Sequence, residues 1–182
     1  MSKPIALFVL LLVWLCGPSV VAQTASKFTT TMPAATLSGR VTVQMTVNRT
    51  FGEHPVPNLQ LYLVRVQDSK ALQELQRRCR RALAATRVDP NAAYETCMAS
   101  LAMAAQTVPQ LASTANVQTD RQGNYRFENV PPGERYQIVG VRFDGGDPVV
   151  IVGLTPKLKS GDQHRLNLSE NAAWTDALPP AR

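Results

Sequence analysis

Three cysteines, two histidines and a run of arginines are the residues of this 182-residue chain whose types could carry chemistry. Metal and redox sites need soft or imidazole ligands at short spacing, such as C-x-x-C. Cys79 and Cys97 stand 18 apart, and neither His54 nor His164 lies near them in sequence. That spacing favours a structural disulfide over a ligand pair or a redox couple. His54 falls in a Pro-rich loop and His164 near the last strand, with no carboxylate spaced to join them in an acid–base pair. The expectation is two surface histidines. Asp144 and Asp147 flank two glycines. Calcium ligation and a hairpin corner both use such residues, and the corner is the simpler reading. Arg77, Arg78, Arg80 and Arg81 surround Cys79. On a helix they spread around the axis, which gives a solvated face by default and a contact for an anion or acidic partner as the functional alternative. Trp174, with Tyr62 and Tyr94, supplies the aromatic surface that could stack on a sugar ring. No serine-nucleophile motif, P-loop or dinucleotide fingerprint occurs. No catalytic residue, metal ligand or cofactor site is assigned, and the chain is expected not to be an enzyme. Asn48-Arg49-Thr50 and Asn167-Leu168-Ser169 are glycosylation sequons, meaningful only in a eukaryotic secretory route.

The N-terminus sets the compartment in which any of these groups would act. Lys3 precedes an unbroken apolar run over residues 5–16, which Gly17 and Pro18 interrupt, and Val20-Val21-Ala22 then offers a cleavage site before Gln23. This order is that of a secretory signal peptide. The run is shorter than the roughly 20 residues a membrane-spanning helix needs. A lipoprotein reading through Cys16 is opposed by bulky Trp14 and Leu15. Cleavage after Ala22 leaves 160 residues, one domain by length, with a net charge of +5 from 18 basic and 13 acidic residues. Cys79 and Cys97 are then an even pair in an oxidising compartment. The expected location is secreted or periplasmic, with no further transmembrane segment. So modest a charge is read as solubility, and nucleic acid is not expected as a partner.

The elements that must position these residues are mostly strands. Residues 23–35, rich in Thr, Ser and Ala, read as a mobile linker. Leu37, Gly39, Val41, Val43, Met45 and Val47 alternate with polar residues, the period of a strand with one buried face. Residues 48–58 hold Gly52, Pro55 and Pro57 and read as a loop. Leu59, Leu61 and Leu63 begin a second strand. The period then changes. Asp68-Ser69 can cap a helix whose apolar stripe is Leu72, Leu75, Cys79 and Leu83. Asp89-Pro90 starts a second helix, lined by Tyr94, Cys97, Leu101, Ala105 and Val108 and ended by Pro109. Cys79 and Cys97 are each nine residues from Val88, so they are level across an antiparallel helix pair. A bridge there closes a loop worth roughly 3 kcal/mol by chain entropy. Strands return at Val117, Tyr125 with Phe127, Tyr136 to Val141, Val149 to Val152 and His164 to Leu168, separated by Gly/Pro/Asp corners. About seven short strands argue for a sandwich. Residues 171–182 read as a loose tail.

Two stretches carry a resemblance. The first is Leu37-Ser38-Gly39-Arg40-Val41, then Gly52 and Pro55-Val56-Pro57-Asn58-Leu59-Gln60-Leu61-Tyr62-Leu63. The second is Thr119-Asp120-Arg121-Gln122-Gly123-Asn124-Tyr125-Arg126-Phe127-Glu128-Asn129-Val130-Pro131-Pro132-Gly133, ending in Tyr136-Gln137-Ile138. Together they resemble the carboxypeptidase regulatory-like, or transthyretin-like, domains over residues 36–66 and 113–168. The resemblance implies a mainly β, seven-stranded Greek-key sandwich of immunoglobulin-like type. Residues 68–110 then form an inserted, disulfide-linked helical hairpin. Urate-pathway hydrolases on this fold use several histidines and a Tyr-Arg-Gly-Ser tail, and this chain has neither. Collagen-adhesin repeats crosslink Lys to Asn beside a buried acid; here the first strand carries Arg40, and Glu128 with Asn167 cannot form that bond.

These readings converge on a non-catalytic exported accessory or interaction module, its partner surface on the hairpin and its partner another exported or envelope protein. Glycan binding through Trp174 is the alternative. The hairpin is expected to stay stiff through its disulfide without a core of its own, and the sandwich to fold without it.

Overall fold

The computed structural model describes residues 33–47, 50–84 and 89–169. The expected signal segment, most of the expected linker, the expected interhelical corner at Val88, the Asn48 sequon position, Trp174 and the expected tail lie outside them. The described residues form nine strand segments and two α-helices. These are β1 (Ala35–Val47), β2 (Thr50–Pro55), β3 (Gln60–Arg65), α1 (Lys70–Ala84), α2 (Pro90–Thr107), β4 (Ser113–Gln118), β5 (Asn124–Val130), β6 (Tyr136–Asp144), β7 (Asp147–Leu154), β8 (Gln163–Arg165) and β9 (Leu168–Ser169). The fold is mainly β.

Two sheets face each other. In the first, β1 pairs antiparallel with β2 and β5 and parallel with the short β8 and β9. The second is antiparallel, in the order β4-β3-β6-β7. The alternation of β1 places Leu37, Val41 and Val43 inward against Tyr125 and Phe127 of β5 and Leu61, Leu63, Tyr136, Ile138 and Ile151 of the second sheet. Tyr125 and Phe127 meet edge to face, with ring centroids 5.8 Å apart.

Two expectations about β1 and its neighbour are corrected. The chain is already ordered at Ala35, which pairs with Val130 and is fully buried, so residue 35 belongs to the core rather than to a linker. Residues 50–55 are strand, not loop: they pair with residues 42–47 as a hairpin. Pro55 stands at the strand's last position, where it breaks little of the ladder.

The helix pair is not a free-standing appendage. Leu72, Leu75, Cys79, Ala104 and Val108 pack on Val139, Val150 and Val152, on the side of β6 and β7 that faces away from the first sheet. This second core explains why β6 reads as an almost continuous apolar run: it is buried on both faces. Gln76 and Gln137, both fully buried, join helix to sheet by a side-chain hydrogen bond of 3.3 Å. The expectation of a hairpin without a core is thus overturned. The expected stripes also shift. Leu83 is 47% exposed and Tyr94 64% exposed. Of the expected α2 stripe, Cys97, Leu101 and Val108 do pack at the second core, and Ala93, Ser100 and Ala104 are buried beside them. Ala, Met and Leu occur all round this helix, so hydrophobic period marks no single face, and small residues take the close contact.

Capping follows the sequence at α2, where Asp89 Oδ1 accepts from the Ala92 N–H at 3.0 Å and Pro90 is the first helical residue. Before α1 the two residues divide their work. Asp68 pairs with Arg65 at 2.6 Å, while buried Ser69 donates to the Val66 carbonyl and accepts from Gln73.

The tight turn before β5 is organised by one carboxylate. Asp120 accepts from the backbone N–H of Gln122 and of Asn124, each at 2.8 Å, and from the Asn124 side-chain amide at 3.0 Å. Gly123 takes the positive φ of 76° that the turn requires. The Asn124 amide foremost, then the backbone donors, hold the Asp120 carboxyl below its ordinary value of 3.8. A depressed folded pKa adds stability above the unfolded value and loses it as pH falls through the folded one. Denaturation of wild type and Asp120→Asn is therefore expected to differ fully at neutral pH. The gap should close as the pH drops from about 5 to about 2. A gap that stays constant across that range would show that the charge does not brace the turn.

Candidate functional site

The disulfide expected between Cys79 and Cys97 is present. It joins α1 to α2 beside the second core, with Cys79 fully buried and Cys97 half-buried. Its contribution is structural: it fixes which faces of the two helices point outward.

The outward side of α1 is basic. Arg77, Arg78, Arg80 and Arg81 are all exposed. Two of them are locally engaged: Arg77 Nε lies 3.0 Å from one Glu74 oxygen and an Arg81 Nη lies 2.8 Å from the other. The Arg77 hydrogen bond is the main reason the Glu74 carboxyl sits below its ordinary value. Arg78 and Arg80 make no ion pair among the described residues. The outward side of α2 is nearly uncharged. Ala92, Tyr94, Ala99, Ala102 and Met103 are exposed on this helix, Tyr94 and Met103 on opposite flanks, with Glu95 the only ionised side chain between Pro90 and Thr107. A basic helix and an apolar helix thus stand side by side on a rigid base. The arginines of this surface are legible in the sequence, whereas Tyr94 falls there on the expected apolar stripe of α2.

The other candidate residues are placed apart. His54 in β2 lies opposite Val43, and His164 in β8 lies beside Leu37. Six residues of β1 separate those positions, on the order of 20 Å of extended chain, so the histidines share no site. Among the described residues no group of three or more His, Cys, Asp or Glu is arranged to hold a metal ion. Asp144 and Asp147 face each other as the last pair of the β6–β7 hairpin, with Gly145 and Gly146 at positive φ between them. Asp144 accepts from Arg142 at 3.5 Å. Glu128 pairs with Arg126, and Asn167 accepts the Arg40 N–H. Of the aromatics considered for sugar stacking, Tyr62 is half-buried against the helix pair and Tyr94 is exposed. No helix among the described residues is long and apolar enough to cross a membrane.

No protein-family model matches the chain, and no curated protein matches it either.

Proposed function

We propose that the chain is an exported, non-catalytic accessory module that docks a partner protein through its helical hairpin. The observation that carries this reading is the exposed surface of the hairpin, with Arg78 and Arg80 on α1, and Tyr94 on one flank of α2 and Met103 on the other. Aromatic, methionine and arginine side chains are the types enriched at protein interfaces. The complementary partner presents acidic residues next to an apolar surface. Burial of the hairpin's inner side against β6 and β7 supports the reading further, since a rigid surface loses little entropy on binding. Export rests on the signal-like N-terminus together with the disulfide.

The scaffold on this reading is a carboxypeptidase regulatory-like, transthyretin-like sandwich. Taking β8 and β9 as one interrupted strand and β2 as a hairpin extension leaves seven strands. The motif residues have structural tasks that fit such a domain: the Asp120 turn, Gly123 and Gly133 at positive φ, and Tyr136 donating to the Pro131 carbonyl at 2.8 Å. Such tasks carry no activity of their own.

The test places a photo-crosslinker at Arg78, at Ala99 or, as control, at Gln118 on β4, in the protein produced in its own cells. One dominant protein captured from the two helix positions, and lost in the Arg78→Glu/Arg80→Glu variant, is the expected result. No capture above background, or equal capture from Gln118, removes the proposal.

A further inference from the structure

The helices cover the second sheet, but no layer of described residues covers the outer side of the first. Its residues follow from strand alternation and register. Leu37, Val41, Tyr125 and Phe127 point inward, so Ser38, Arg40, Asn124 and Arg126 point out. Arg126 of β5 pairs with Ser38 of β1, and Ser38 pairs on its other side with Arg165 of β8. One step along β1, Arg40 pairs with Asn124, and its backbone N–H reaches the Asn167 side chain at 3.2 Å. Two rows result: Arg126–Ser38–Arg165, then Asn124–Arg40–Asn167. Adjacent strands lie about 4.8 Å apart, which sets the two outer arginines about 10 Å from each other, with Arg40 about 7 Å further along the chain.

We propose that this triangle of arginines binds an acidic polysaccharide, its sulfate or carboxylate groups on the guanidinium forks. Two cavities, of about 550 and 280 Å³, are lined in part by this face; Arg165 lines both, and the first reaches past the sheet edge to Val117 and Gln118 of β4. The first also carries Ser38, Asn124 and Arg126, and the second Arg40 and Asn167. The guanidinium groups are held at different settings. Arg40 Nε donates to the Gln122 carbonyl at 2.8 Å, which orients its remaining N–H groups. Arg126 Nε is 2.9 Å from Glu128, and Arg165 makes no ion pair among the described residues. Asp120 and Glu53 line the same cavities. Asp120 is occupied by its three turn donors, and Glu53 accepts from Gln44. Guanidinium forks match planar or tetrahedral oxyanions. Ser38, Asn124 and Asn167 between them suit sugar hydroxyls rather than lipid chains, which decides between a polysaccharide and a membrane surface. The face is on the opposite side of the sandwich from the hairpin, so occupation of one leaves the other open.

The test is retention of the protein on immobilised heparin and on polygalacturonate, with inorganic phosphate and phosphatidylglycerol vesicles as competitors. Arg165→Gln disturbs no ion pair among the described residues, and it is expected to weaken binding by about tenfold, the scale of one charge-assisted hydrogen bond. Adding Arg40→Gln and Arg126→Gln should abolish retention, while Arg78→Glu/Arg80→Glu on α1 should keep it. Equal retention of wild type and Arg165→Gln overturns the proposal. So does loss of retention in the α1 variant alone. Binding to the vesicles but to neither polysaccharide assigns the face to lipid phosphate and overturns it too, as does full displacement by millimolar phosphate.

Discussion

Removal of residues 68–110 is expected to leave an insoluble protein rather than a smaller sandwich. Joining the ends is not the difficulty: Val64 of β3 already pairs with Ser113 of β4, so a short turn could close the chain. The difficulty is what the deletion uncovers. Val139, Val150 and Val152 form an apolar patch on β6 and β7 that Leu72, Leu75, Ala104 and Val108 now cover. Each such side chain gains about 1.5–3 kcal/mol from burial. Buried Gln137 would also lose Gln76. A contiguous exposed apolar surface on a sheet is an association site. Expression of the deletion is expected to give aggregate, and the same deletion carrying Val139→Thr, Val150→Thr and Val152→Thr is expected to give soluble monomer. Size-exclusion chromatography of both proteins separates the cases. A soluble, monomeric deletion without the threonines would mean that the helix pair contributes nothing to the sheet's stability.

The difference between the two views of that hairpin shows where sequence reasoning reaches and where it stops. Period 2 located β1, β3 and β5 because each has one wet face and one dry one. Over Tyr136 to Val141 the period fits two inward sets, Tyr136 with Ile138 or Val139 with Val141. Both sets are covered, one by the first sheet and one by α1 and α2. A strand with apolar residues in both registers is itself a signal of a third layer. The α2 stripe is legible only in part: Cys97, Leu101 and Val108 pack at the second core, but Tyr94 is exposed, and apolar residues on every side blur the inner face. Cys79 and Cys97 were legible because level positions on a helix pair follow from counting alone. The arginine triangle was not, since Arg40, Arg126 and Arg165 stand 86 and 39 residues apart in sequence and meet only through the register of β5 and β8 on β1.

That register depends on one glycine, and Gly39→Ala is expected to be among the most destabilising single changes in the protein. Gly39 is buried in β1, directly opposite Tyr125. A Cβ there would run into the Leu166 carbonyl and come within 2.8 Å of the Tyr125 hydroxyl. Those two groups are bonded to each other: the Tyr125 phenol donates to the Leu166 carbonyl oxygen. Burial raises the phenol's pKa, which keeps it protonated as a donor. The Leu166 N–H in turn donates to the Ser38 carbonyl at 2.8 Å. Chain between β8 and β9 thus lies across β1 at the one place without a side chain. Alanine must push Leu166 away, leaving a buried hydroxyl and a carbonyl without each other. Overpacking and an unmet buried polar group together cost about 3 kcal/mol or more. Tyr125→Phe removes the same hydrogen bond without a clash and should cost only about 1 kcal/mol. Urea denaturation of the two variants is expected to rank them in that order, and a Gly39→Ala midpoint equal to wild type would mean the crossing yields freely. Because Leu166 lies between Arg165 and Asn167, Gly39→Ala should also weaken polysaccharide retention, whereas Tyr125→Phe, with its backbone clearance intact, should retain most of it.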